Sequence, residues 1–463
     1  MTHELADALV LVLPRGESLA SWAHRGLLER EWAIVAGVSP RYGRVVVVSE
    51  GGEVERAIGR TLRPAADVVC NEEASARESF LASAPSRVVG VLGRVKSVLI
   101  KTVQMQGSEV AVRIARALRD EGIRTGLVVR GEYLCSRFLA YEQGQSSEAV
   151  LAAAAEEGEA CRAADVVVGT SRAMVGDLSW RSGLTADRTA LIPNHVLEVE
   201  LPALAEDRLE DEVLYAGPLV RRKRVDILIE AMSLLPDEVR ERVHLTLIGD
   251  GPERSVLAGQ ARALGVDVRF EGWVAHPVVL ERLRRCTVYA QASELEGHPK
   301  SVIEAMAAGA AVVVAESPGL GSTIEHGLSG LRLPLSAEAF GRTIEMLLMD
   351  AELRSSLGMA ASRLVRDRMS VQRVVELELE VHARAMARAG AGVMLPSAGV
   401  RFDPELLRGT ATEQASAWRR AIEGFALGLG PAARTSFVLA LQRQMGSLGA
   451  PEDSSRECRP DAA

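Results

Sequence analysis

The feature that most constrains this chain is a series of short, almost uninterrupted apolar runs rich in β-branched residues, separated by amphipathic helical stretches. In the first half the runs are Ala8–Leu13, Val45–Ser49, Val88–Leu92, Thr125–Val129, Asp165–Gly169 and Ala190–Ile192. They do not alternate apolar with polar residues. Strands buried on both faces look like this, and parallel sheets covered by helices on both sides produce such strands. Helical patterns at Leu19–Val35 and Glu109–Glu121 fall between them. This stretch therefore predicts one α/β domain.

From Val196 to Glu212 the sequence turns acidic and irregular, as a linker does. The alternation then restarts. Strands are expected at Val213–Ala216, Val243–Ile248, Val268–Phe270, Thr287–Ala290 and Ala311–Val314, with helices between and after them, including Val225–Leu235, Pro299–Ala308 and Ala351–Arg366. The expected organisation is a first domain at 1–195, a linker at 196–212, a second α/β domain at 213–370, a long helix at 371–389, and a helical extension with a disordered tail at 390–463. At 463 residues the chain is long enough for this.

Composition narrows the partners. Aromatic residues make up 4% of the chain and the net charge is −8, so neither a stacking platform for single strands nor a general nucleic-acid surface is expected. The five cysteines, Cys70, Cys135, Cys161, Cys286 and Cys458, show no zinc or redox spacing and read as isolated thiols of a reducing compartment. No signal peptide and no membrane span is expected, since no apolar run approaches ~20 residues. The expectation is a cytoplasmic protein, with peripheral contact at the inner face of a membrane left open. Oligomeric state does not follow from the sequence.

Two α/β domains in tandem leave a cleft, and ligands of open parallel sheets bind beyond the carboxyl ends of the strands. After Val213–Ala216 comes Gly217-Pro218-Leu219-Val220, then Arg221-Arg222-Lys223-Arg224. Four cations ahead of a helix oppose its macrodipole, so an anion or a solvated turn must account for them. After Val243–Ile248 the Gly249-Asp250-Gly251-Pro252 string reads as a tight turn. After Thr287–Ala290 the chain runs through Glu296-Gly297-His298-Pro299-Lys300-Ser301 to Glu304, with Gly309 as a helix stop. A loop followed by a helical turn can bring Glu296 and Glu304 to one ligand, although by spacing alone a capping residue and a solvated face residue read as well. The glycines at Gly319 and Gly321 follow the last of these strands, where backbone N–H groups can face a diphosphate.

Taken together, these strings resemble the retaining glycosyltransferases of GT-B fold, of the type that builds bacterial lipopolysaccharide and other polysaccharides. The resemblance runs from about Leu9 to Ala389 and is strongest from Val213 to Pro334, with the Phe270-Glu271-Gly272-Trp273-Val274 and Ile192-Pro193-Asn194 strings also in place. It implies two Rossmann-like domains facing an interdomain cleft, the first on the acceptor side, with the long helix returning toward the first domain.

The resemblance further implies catalytic roles for Glu296, at the donor sugar, and Lys223, at the diphosphate. Glu304 would bind the donor ribose. Gly217, Arg222, Gly297, His298, Pro299, Lys300, Ser301, Gly321 and Val274 would surround the donor. Gly16, Arg130, Glu132 and Tyr133 are candidates on the acceptor side, with Lys101 and Gln104 read instead as a solvated loop. His298 and His195 are read as loop-packing residues rather than bases. Pro218 stands where the family carries an arginine, so the compensating charge falls to Arg221, Arg222 or Arg224.

The implied activity is transfer of a sugar from a nucleotide-sugar donor to a glycan, lipid-linked or small-molecule acceptor with retention of anomeric configuration. It needs no cofactor and no metal, in keeping with the lack of an Asp-x-Asp string. A non-catalytic nucleotide-binding scaffold of the same fold is the alternative.

Overall fold

A computed structural model describes residues 4–72, 76–144, 147–197 and 211–390. The expectations for 391–463 and for most of the linker lie outside the described residues. Seven strands form the first sheet: β1 (Ala6–Val12), β2 (Tyr42–Ser49), β3 (Asp67–Cys70), β4 (Ser97–Thr102), β5 (Arg124–Gly131), β6 (Val166–Gly169) and β7 (Thr189–Leu191). Six form the second: β8 (Glu212–Ala216), β9 (His244–Ile248), β10 (Val268–Gly272), β11 (Val288–Gln291), β12 (Ala311–Ala315) and β13 (Leu331–Leu333). Every pairing in both sheets is parallel.

The strand orders are β3-β2-β1-β4-β5-β6-β7 and β10-β9-β8-β11-β12-β13. Each sheet reverses direction of winding once, between β1 and β4 and between β8 and β11. A crevice opens at the carboxyl end of the strands at such a switch point. The loops after β8 and β11 carry Lys223 and Glu296, which explains why residues 73 apart in sequence can meet.

The apolar runs fill both faces of each sheet. Leu9, Leu11, Val45 and Val47 point to one side of the first sheet and Ala8, Val10, Val46 and Val48 to the other, each into its own core. The helix Val371–Gly390 packs on the first of these faces through Val374, Val381, Ala385 and Met386. Its polar anchor is Glu378, which is 1% exposed and paired with Lys101 at 2.6 Å and Arg130 at 3.3 Å. One turn on, His382 meets the Tyr42 hydroxyl at 2.8 Å.

Three local expectations are corrected. Val88–Leu92 is not a strand but the end of a helix, Arg77–Leu92. Phe80, Ala84, Val88 and Leu92 are buried at four-residue spacing, and that helical stripe outweighs the β-branched run. The strands in this region are β3 and β4 instead. The helix read at Leu19–Val35 is two, Leu19–His24 and Leu28–Val38, parted at Gly26, whose φ of +68° a helix interior does not accommodate. Lys101 is no solvated loop residue: it lies inside β4, buried against Glu378.

Candidate active site

The loop after β8 starts from Gly217, whose N–H donates to the Ile248 carbonyl. It makes a single 3₁₀ turn at Arg221–Lys223 and enters the helix Val225–Ser233 through Arg224 in the left-handed region, φ +47°. The four cations are therefore not massed on a helix N-terminus. Arg224 turns to Asp226 and Glu294, at 2.9 and 2.5 Å. Lys223 turns the other way and forms a buried ion pair with Glu296. Arg222 lies over the Phe138 ring of the first domain, 4.5 Å from its centroid, with Nη1 3.6 Å from Glu296. Burial pulls the Lys223 ammonium below its usual value, against the opposing pull of Glu296.

Glu296 is fixed from below as well. Gln291, the last residue of β11, donates to its Oε1 at 2.7 Å, and Gln291 Oε1 is in turn 2.9 Å from the Tyr289 hydroxyl, itself 2.9 Å from Ser301. Ser301 thus belongs to the support of the loop. The loop after β12 presses on the same segment: the Glu296 N–H donates to Pro318 O at 2.9 Å, and a Cβ on Gly319 would lie 2.2 Å from Glu296 O. Gly319 makes that approach, whereas the Gly321 N–H donates to Ser317 O within its own turn and its carbonyl accepts from Arg332 of β13.

Across the cleft, Gly297 meets the first domain so closely that a Cβ there would lie 2.1 Å from Glu132 O. Lys300, first residue of the helix Lys300–Ala307, pairs with Glu31 at 3.0 Å and Glu132 at 3.2 Å. Tyr133 stacks on Phe138, centroids 5.0 Å apart. A pocket of about 300 Å³ results, lined among others by Glu132, Tyr133, Arg222, Glu296, His298, Pro299 and Lys300. A larger hollow of about 460 Å³ lies beside Arg224, but that guanidinium is already neutralised by Asp226 and Glu294.

Glu304 is buried on the same helix as Lys300, four residues further on. Its Oε1 accepts from Arg30 Nη1 and His276 Nε2, both at 2.8 Å. Burial alone would raise its pKa; the His276 and Arg30 bonds outweigh that and hold it below the ordinary carboxylate value. Arg30 comes from the helix Leu28–Val38 of the first domain, so the two domains meet at this carboxylate. Val274 is half-buried just after β10, beside Trp273, which stacks on His24 of the first domain.

Of the acceptor-side candidates, Glu132 and Tyr133 line the pocket. Arg130 does not: its guanidinium bonds to Pro193 O, Asn194 Oδ1 and Glu378. Gly16 is exposed in the loop after β1. Sequence reasoning missed Arg30, Glu31, His276, Gln291 and Phe138. No local signal marked the first three, whose partners across the cleft, or in His276's case on the helix carrying Glu304, are not adjacent in sequence. Gln291, a polar residue closing an apolar strand, did carry one.

Two facing parallel α/β sheets with the pocket at their switch-point ends define the GT-B architecture. Residues 200–364 match the family model of group 1 glycosyl transferases. Lipopolysaccharide core biosynthesis glycosyltransferase LpsE of Rhizobium meliloti is 30% identical over 212 residues, 45% of this chain and 60% of LpsE. A D-inositol 3-phosphate glycosyltransferase of Jonesia denitrificans is 29% identical over 184 residues, 38% of this chain and 43% of that protein. The match thus spans less than two thirds of each of these relatives. Among solved structures, Anabaena HepE in complex with UDP and glucose superposes with a TM-score of 0.62 at 19% identity, over 81% of this chain and 98% of HepE. The sucrose-phosphate synthase of Thermosynechococcus elongatus gives 0.63 at 18% identity, over 82% and 100%. These likenesses establish the fold.

Proposed function

We propose that this chain transfers a sugar from a nucleotide-sugar donor to a glycan, lipid-linked or small-molecule acceptor, with retention of anomeric configuration, in the synthesis of a bacterial surface polysaccharide or glycoconjugate. The observation that carries the reading is the meeting of Arg222 and Glu296 in the wall of one pocket between the domains, with Lys223 ion-paired to Glu296 and Glu304 on the helix whose first residue, Lys300, lines the same pocket. Breaking a glycosidic bond to a diphosphate leaves negative charge on the leaving oxygen. Lys223, released from Glu296, and Arg222 stand ready to receive that charge, and the helix starting at Lys300 adds its N-terminal N–H groups. Arg222 takes the place of the arginine absent at Pro218. Glu296 then faces the sugar, where a carboxylate favours positive charge at the anomeric carbon. Glu304 is assigned to the ribose diol, which has to exchange with Arg30. The family match and the resemblance to LpsE support the class of reaction. Charge compensation by side chains assigns no role to a divalent metal.

The test is nucleotide release from a panel of UDP-, GDP- and ADP-sugars, with acceptor and with EDTA present. One donor is expected to turn over unimpaired by EDTA. Lys223→Met and Glu296→Ala are each expected to lower turnover about 10²-fold or more, the usual cost of losing a charge-stabilising group. No release from any donor, or full activity in both variants, overturns the proposal. The scaffold reading rests on the pairing of Glu304 with Arg30; it requires nucleotide binding without release.

A further inference from the structure

His298 sits in the middle of the Glu296–Lys300 segment, 7% exposed, among the residues that line the pocket. Its Nδ1 accepts a hydrogen bond from the backbone N–H of Asn194 at 3.1 Å. The Asn194 side chain closes the clamp, Nδ2 donating to the His298 carbonyl at 2.8 Å. Asn194 is itself held by Arg130, whose Nη2 donates to Oδ1 at 3.1 Å. An imidazole whose Nδ1 accepts from an amide and which carries no charge must bear its proton on Nε2. No described residue accepts from that Nε2.

We infer that Asn194 is a positioning residue which locks His298 as the neutral Nε2–H tautomer, and that this N–H serves the pocket as an uncharged donor to an oxygen of the bound nucleotide sugar. The inference rests on the functional reading above and adds to it a contact of stated polarity. Burial, with Arg130 and Lys300 nearby, pushes the His298 pKa down to about 3, in keeping with a ring that stays neutral in use. The charged groups around the ring are Arg130 from β5, Lys300 and Glu296 from its own segment, Glu132 ahead of the helix Cys135–Gln143, and Arg222 from the loop after β8. A neutral donor suits this setting: it can approach a hydroxyl or phosphate oxygen without adding a further cation beside Arg130, Lys300 and Arg222. It also excludes His298 as a general base, because Nδ1 is occupied and Nε2 already carries hydrogen.

Two substitutions separate a donor to the ligand from a residue that merely packs the loop. The amide nitrogen of glutamine reaches the place of Nε2 but not that of Nδ1; asparagine reaches the place of Nδ1 and keeps the Asn194 contact without reaching the pocket. Binding of UDP and of UDP-glucose to wild type, His298→Gln, His298→Asn and His298→Ala is measured by calorimetry, with the GDP and ADP pairs as further probes. His298→Gln is expected within about threefold of wild type, and the other two about tenfold weaker, the scale of one neutral hydrogen bond. A loss shared by nucleotide and nucleotide sugar assigns the contact to phosphate; a loss confined to the nucleotide sugar assigns it to a sugar hydroxyl. Asparagine tolerated better than glutamine overturns the inference. Long-range ¹H–¹⁵N correlation on the free protein reads the tautomer without any ligand, and a proton on Nδ1, or an imidazolium at pH 7, overturns it as well. A correct tautomer in a protein that binds none of the probes instead defeats the functional reading and, with it, the donor role.

Discussion

Single residues in this cleft are defined by what neutralises them. Lys223 and Glu296 are both buried, and each is tolerable only because the other is there. His195 and His298 follow the opposite rule and stay neutral. Burial pushes His195 down to about 4 and His298 to about 3, from an ordinary value near 6.5. Between pH 6.5 and 4.5 the unfolded chain therefore binds protons at these positions that the folded chain refuses, and stability must fall as pH falls. The limit is about 1.4 kcal/mol per pH unit for each histidine. Glu304, Glu31 and Glu378, held below the carboxylate value, add their own loss only below about pH 4.5. Thermal unfolding from pH 7 to 4.5 is expected to show a declining Tm, with a shallower decline in His195→Gln; a flat profile contradicts the buried neutral assignment. Legibility at this scale divided by sequence distance. Glu296, Lys223 and Lys300 stand in strand-end loops with glycine and proline around them and could be read. Arg30 shows no sign in its own surroundings of the carboxylate 274 positions away that it serves.

At the scale of elements, the apolar runs were readable because a strand buried on both faces leaves no room for polar residues. The misread run at Val88–Leu92 shows the limit, since three valines and a leucine around Gly90 suit a helix when their neighbours at four-residue spacing are buried too. The helix Val371–Gly390 was legible as a helix, but its docking was not. Glu378 is the one acidic residue on its buried face, and only β4 and β5 supply the cations that make this tolerable. Replacing it strands Lys101 and Arg130 in the interior. Glu378→Ala is expected to cost about 3–5 kcal/mol in chemical denaturation, the range for breaking a buried pair from one side. A loss below about 1 kcal/mol would show the network to be solvated.

At the largest scale, the two domains, in their described residues, are arranged so that each completes the other's charges. Arg30 reaches Glu304, Lys300 reaches Glu31 and Glu132, and Tyr141 reaches Glu294. The switch points of the two sheets bring these side chains to one cleft; the alternation in the sequence predicts parallel α/β sheets, while the strand order that creates the switch points comes from the structure. A nucleotide sugar entering this cleft exchanges the protein's own ion pairs for its phosphates and hydroxyls. The most direct test of that idea is calorimetric titration of wild type and Glu304→Ala with the UDP-, GDP- and ADP-sugar panel. At least one nucleotide sugar should bind the wild type, and Glu304→Ala should weaken it tenfold or more, about 1.4 kcal/mol or greater. Equal affinity in the two proteins, or no binding by any member of the panel, would contradict the account.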